Sequence, residues 1–166
     1  MARSNQVRRQ QSHAFKKVRA DHAAETAEDY VEAVSDIVHA LGECRVKHLV
    51  EHMGVTHVTV SRTIARLEAE GLVETEPYKP IRLTAAGERL AARSRRRHQI
   101  VLEFLRALGV TDQVARQDAE GIEHHVSEST LDRMEAFTQV IAAAKVAPAD
   151  PQPTPINSEP EEPAQS

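Results

Sequence analysis

The chain has 166 residues, a net charge of −4 and 40% hydrophobic residues, but only 3% aromatics and no tryptophan. That length makes one ordinary domain or two small ones. The single cysteine, Cys44, excludes a disulfide framework or a thiolate zinc site within one chain, and the lack of any long apolar run or apolar leader excludes a membrane protein and makes the cytoplasm the default.

Glycine is scarce, at 6 residues, and helix formers are common, so the expected fold is mainly α. Residues 1–21 read as a basic, flexible arm. Within it Arg3, Arg8, Arg9, Lys16, Lys17 and Arg19 precede the first acid. Ala27, Tyr30, Val31, Val34, Ile37, Val38 and Leu41 then recur at helical spacing, and Gly42 stops that helix. A second helix carries Val46, Leu49, Val50 and Met53. Gly54-Val55 turns the chain, and Thr56 caps a third helix through Val60, Ile64 and Leu67. Residues 72–75 and 81–84 flank Pro77 and Pro80 and predict a small hairpin. Thr84 caps a long helix to about Leu108, Thr111 or Asp112 starts another to about His125, and Ser127 caps the last. From Pro148 the chain is rich in Pro, Glu, Gln and Ser, and residues 146–166 read as a disordered acidic tail.

The stretch Val50 to Arg62 has helix-turn-helix spacing. Gly54 sits where the sharp turn needs positive φ, while Val55 and Val60 plug the angle between the helices. The hairpin that follows makes it a winged version, over residues 22–87. Such a second helix fits the major groove and offers its outward side chains to the bases. His57, Ser61 and Arg62 are therefore candidates for base or phosphate contact, and Thr59 and Arg66 for phosphates. Lys79 and Arg82 in the wing are placed to clamp the DNA backbone.

A second pattern carries metal chemistry. Asp29 and Glu32 share one helix face, as do Glu120, Glu123 and His124 on theirs, and His98 offers a further nitrogen. Each piece alone reads as a solvated face or dipole compensation; together, in a chain that reads as DNA-binding, they form an oxygen-rich ligand set. It suits Mn²⁺, and less selectively Fe²⁺, Co²⁺ or Zn²⁺. His125 is rotated by about 100° and falls outside the set.

Asp29-Tyr30-x-Glu32, Arg97-His98 and the run from Asp118 to Ser127 resemble the diphtheria toxin repressor family, most closely its manganese transport regulator branch. The likeness spans about residues 24 to 141. It implies a winged helix-turn-helix domain followed by a helical metal-binding and dimerisation domain over 88–145. It also implies a metal site between the domains made by Asp29, Glu32, His98, Glu120, Glu123 and His124, holding one or two Mn²⁺ per subunit. In iron-responsive relatives a cysteine stands at the position of Glu120 and a methionine at that of Asp29. Hard oxygen at both favours Mn²⁺ over Fe²⁺.

The chain ends before the SH3-like domain of the iron regulators, and its basic start resembles that of Gram-negative manganese regulators. The implied function is a homodimeric, manganese-responsive repressor of a palindromic operator in double-stranded DNA. Two other readings remain open on the residues: a winged-helix regulator responding to another ligand without metal, and one whose physiological metal is Fe(II). With no nucleophile or phosphate loop evident, an enzyme is not expected.

Overall fold

The computed structural model describes residues 2–146, with side chains over 21–144. Eight elements follow in order: α1 (Ala2–Leu41), α2 (Val46–Met53), α3 (His57–Ala69), β1 (Val73–Glu74), β2 (Arg82–Leu83), α4 (Ala85–Ala107), α5 (Asp112–Ile122) and α6 (Glu128–Val146). Local chemistry sets most of their ends. Gly42 and Gly54 take φ of 79° and 65°, the left-handed turns that an L side chain disfavours. Thr56 caps α3 by accepting from the Thr59 amide at 3.2 Å, and Thr84 caps α4 by accepting from Gly87 at 3.1 Å.

Among the described residues there are two apolar clusters. Tyr30, Val34, Ile37, Leu49, Val60, Ile64, Leu67, Val73 and Ile81 fill the first, under the helix-turn-helix and wing. Ile100, Val101, Leu102, Leu105, Ala115, Ala119 and Leu131 fill the second, between α4, α5 and α6. Side chains as fully enclosed as Leu49, Leu67 and Leu131 each contribute about 1.5–3 kcal/mol of hydrophobic stabilisation. α4 is common to both halves, packing on α1 at one side and on α5 and α6 at the other. Gly87 lets it approach the wing: a Cβ there would lie 2.1 Å from the Leu72 carbonyl oxygen.

The hairpin pairs Val73 with Leu83 and Glu74 with Arg82, antiparallel. A bridge between Cys44 and Ile81 adds a third short segment that the sequence does not signal, with the Ile81 amide donating to the Cys44 carbonyl at 2.8 Å.

Two expectations are corrected. The basic arm, expected as an unstructured leader, is helical from Ala2, because α1 runs back through it. Its Gln, Arg, Lys and Ala residues are good helix formers with no Gly or Pro among them; it lacks only the apolar period by which helices are recognised. α5 stops at Ile122 rather than His125, and residues 123–126 form a tight turn in which the His125 amide donates to the Ile122 carbonyl at 3.0 Å. The acidic tail, apart from Val146, lies outside the described residues.

Candidate metal centre and nucleic-acid interface

Three elements bring donors to one place. α1 supplies Asp29 and Glu32, α4 supplies His98, and the end of α5 with its turn supplies Glu120, Glu123 and His124. His98 Nδ1 lies 2.6 Å from Glu123 Oε2 and 3.6 Å from Glu120 Oε1. Ligand atoms of these three residues all lie within 4.8 Å of one another. His124 Nε2 faces Asp29 Oδ1 at 3.4 Å and Glu123 Oε1 at 3.7 Å. Glu32 lines the same cavity, of about 600 Å³, with Asp29, Glu120, Glu123, His124 and, from the end of α2, His52 and Met53. Five of the six sequence-predicted residues thus share one cavity wall, and the sixth, His98, joins them through Glu120 and Glu123; Glu32 is the member that no close contact ties to the others.

The helix-face argument for Glu120, Glu123 and His124 holds only in part, since His124 leaves the helix. Its other ring nitrogen explains where it goes. Nδ1 lies 2.9 Å from Glu28 Oε2, and the second oxygen of Glu28 accepts from Arg93 of α4 at 3.3 Å. Sequence reading passed over Glu28, whose part depends on what packs against α1. Arg97 was also read without a role. Its guanidinium donates to the carbonyls of Glu123 (2.6 Å) and Val126 (2.7 Å) and to the Glu128 carboxylate (2.6 Å), fixing the turn that presents Glu123 and His124.

The electrostatics are those of acids crowded together. Burial pushes the Glu123 carboxyl up to about 7, against the pull of His98 and His124. Burial also raises Asp29, His124 pulls it back, and the charges of Glu120, Glu25 and Glu28 add to the rise. For His124 burial works downward, but the Glu28 hydrogen bond and the charges of Asp29, Glu123 and Glu28 outweigh it, so the ring titrates above its usual value. The donor set is carboxylate and imidazole without sulfur. Cys44 is enclosed in the other cluster, its thiol pushed up to about 11 by burial.

On α3, His57, Ser61 and Arg62 are exposed, as the sequence predicts for a groove-facing side. Val58 joins them at 59% exposure, an apolar patch of the kind that meets a thymine methyl. Thr59, also exposed, and Arg66 make contacts within the chain as well. The Thr59 hydroxyl is 2.9 Å from that of Thr56, engaged in the helix cap. Arg66 is half-buried with Nε 3.7 Å from Glu70 Oε1, and its Nε and Nη2 have no hydrogen-bond partner. Lys79 and Arg82 are exposed on the wing, Lys79 paired to Glu76 at 2.5 Å. Tyr78 at the wing tip is 97% exposed, yet holds φ at 65°.

Comparison with known proteins gives a consistent picture. Residues 22–81 match the N-terminal DNA-binding domain of iron dependent repressors, and residues 84–145 their metal binding and dimerisation domain. The transcriptional regulator MntR of Escherichia coli O157:H7 is 49% identical over 125 residues, 75% of this chain and 81% of that protein. The HTH-type transcriptional regulator MntR of Bacillus subtilis (strain 168) is 31% identical over 112 residues, 68% of this chain and 79% of that protein.

Among solved structures, a manganese-dependent transcriptional repressor in complex with manganese aligns with a TM-score of 0.62 at 30% identity. The alignment covers 68% of this chain and 52% of that one. The manganese regulator SloR aligns at 0.61 and 26% identity, with 68% and 53% covered. The chain therefore spans about half the length of these solved relatives.

Proposed function

This chain belongs to the iron-dependent repressor family, among its MntR regulators, and on that premise we propose that it is a homodimeric, manganese-responsive transcriptional repressor. The observation that carries the reading is the convergence of donors where the two domains meet: Asp29 and Glu32 of α1 line one cavity with Glu120, Glu123 and His124, and His98 of α4 meets Glu120 and Glu123 beside it. Asp29, Glu32, His98, Glu120, Glu123 and His124 are the residues that would hold the ion. The donor set fits Mn²⁺, a hard cation suited to carboxylate oxygen with some imidazole. The nearly enclosed Glu123 carboxylate supports this, because its charge is costly there until something positive offsets it.

A bound divalent ion supplies positive charge that neutralises this cluster and holds the donor elements together. The chain does the rest. Arg97 holds the 123–128 turn, Glu28 orients His124, and α4 joins the site to the second apolar cluster. Leu108, Val114, Phe137 and Val140 are large apolar side chains left exposed on the dimerisation half, and they suit a partner subunit. In the DNA-bound dimer two copies of α3 would enter successive major grooves of a palindromic operator, with His57, Val58, Ser61 and Arg62 toward the bases and Lys79 and Arg82 toward phosphates. Thr59, which is exposed, and Arg66 are the further candidates for phosphate contact.

The test is operator binding by fluorescence anisotropy with Mn²⁺, with Fe²⁺ and without metal. Tightening by Mn²⁺ is expected, and equal affinity in all three would overturn the switch. Glu120→Ala should lose the metal response while folding normally. Arg62→Ala should weaken DNA binding by about 1–3 kcal/mol with Mn²⁺ binding intact.

A further inference from the structure

The tip of the wing departs from the usual chemistry of its turn. Glu76, Pro77, Tyr78 and Lys79 form it, with the Lys79 amide donating to the Glu76 carbonyl at 3.1 Å. Proline at the second position fixes a negative φ there, and Tyr78 at the third holds φ at 65°. That is the type II pattern, whose third position calls for glycine or asparagine. Among the described residues Tyr78 is the single non-glycine residue with a positive φ. At 97% it is also the most exposed of their large apolar side chains.

The turn is held from outside itself. Arg45, between α1 and α2, donates from Nη1 to the Tyr78 carbonyl at 3.1 Å, while its Nε and Nη2 grip the Glu43 carboxylate at 2.7 and 3.1 Å. The chain thus fixes the backbone at residue 78 and leaves the ring almost wholly in water. Nothing among the described residues offsets the exposed ring, and strain of this kind collects where a partner binds.

We propose that Tyr78 is a specificity-determining residue of the DNA interface: its ring enters the minor groove beside the major-groove site of α3 and favours an A·T pair there. This rests on the DNA-binding reading given above and deepens it. The tip follows α3 within the matched DNA-binding domain, and Lys79 and Arg82 are exposed around it, so the ring continues the same charged surface. The minor groove, about 6 Å wide, admits an aromatic ring on edge. On an A·T pair its floor shows only acceptors, adenine N3 and thymine O2, to which the phenol can donate. A G·C pair adds the guanine amino group, which stands in the space the ring needs. Arg82 then meets a phosphate of the groove wall, and Lys79 exchanges its ion pair with Glu76 for another.

The experiment is selection of DNA by the full chain with Mn²⁺ from a pool of randomised duplexes, comparing wild type with Tyr78→Asn and Tyr78→Phe. Asparagine tolerates the positive φ, so it removes the ring and keeps the turn; phenylalanine removes only the hydroxyl. All three are expected to enrich the same core half-sites. Wild type should add an A·T preference at a flanking position, weakened in Tyr78→Phe and lost in Tyr78→Asn. On the selected duplex, changing that pair to G·C should lower wild-type affinity by about tenfold and that of Tyr78→Asn by less than about twofold. The same flank in wild type and Tyr78→Asn would overturn the proposal. So would an equal loss by Tyr78→Asn on every flank, which would put the ring on the sugar-phosphate backbone. Failure of wild type to enrich any sequence would overturn the repressor reading together with this one, whereas a shared core without the flank difference overturns this one alone.

Discussion

Removing the Glu28 carboxylate should weaken Mn²⁺ binding although Glu28 is not among the proposed ligands. It anchors the Nδ1 side of His124 at 2.9 Å, which leaves Nε2 aimed at Asp29 and Glu123. Both side chains are well covered, at 15% and 11% exposure, so water replaces the bond poorly. A hydrogen bond to a charged group contributes about 1.5–3 kcal/mol. At 1.4 kcal/mol per decade, Glu28→Ala should therefore raise the Kd for Mn²⁺ by about tenfold to a hundredfold, the range known for outer partners of metal ligands. Glu28→Gln keeps an oxygen to accept from Nδ1 and should recover much of that loss.

The apo chain offers a second readout. His124 is raised above its usual 6.5, so the stability it contributes is fully present below about pH 6.5 and fades as pH rises through the folded value. Glu28→Ala should accordingly cost the apo protein more stability at pH 6 than at pH 8.5. Mn²⁺ affinity within twofold of wild type, beside a Glu123→Ala control that loses binding, would refute the assignment.

Mn²⁺ binding should weaken as pH falls through about 7 and should release protons, because the Glu123 carboxyl titrates near there and must be ionised to bind; calorimetry in buffers of different ionisation enthalpy measures this. Gly87→Ala should lower the denaturation midpoint. Alanine gains up to about 1 kcal/mol as a helix former, but its Cβ would meet the Leu72 oxygen at 2.1 Å, and such overpacking costs about 1–3 kcal/mol. Tyr78→Gly should leave thermal stability equal or slightly higher, by relieving a left-handed conformation worth about 1–2 kcal/mol in a residue that is fully exposed. The same variant should bind operator more weakly if the wing tip touches DNA.

What could be read from the sequence follows the range of the interactions. Gly54, Thr56 and Thr84 act within three or four residues, so their turn and caps are visible in the string itself. The spacing of Asp29 with Glu32, and of Glu120 with Glu123, is likewise local. The three arginines 95 to 97 show the limit. As sequence they form one basic run, yet helix rotation sends each to a different neighbour. Arg95 reaches Asp36 and Ser35 on α1, Arg96 reaches Glu135 on α6, and Arg97 reaches the 123–128 turn. Glu28 was missed for the same reason. It adjoins Asp29 in the chain, but its role exists only because Arg93 and His124 arrive from elsewhere. The helical start of α1 was missed for the opposite reason, since a helix without an apolar face leaves no period to detect.

The cavity also suggests why metal and DNA should be coupled in this chain. Its walls include not only the ligands but His52 and Met53 at the end of α2, immediately before Gly54 and the turn into α3. Asp29, Glu32, Asp36, Glu120 and Glu123 line the same space. Two such charges 4 Å apart repel by about 4 kcal/mol at the effective dielectric of a protein surface. Converting a population from 1:99 to 99:1 takes about 5.5 kcal/mol of differential binding. Relief of a few such repulsions is therefore the right size to set the arrangement of α1, α2 and the α5 turn. Neither the ligands nor α3 need change shape for this, because α2 and α3 share the first apolar cluster with α1 and would move as one body with it. The cation's leverage then comes from where the crowded carboxylates sit, at the seam between that body and the helices of the metal-binding and dimerisation domain.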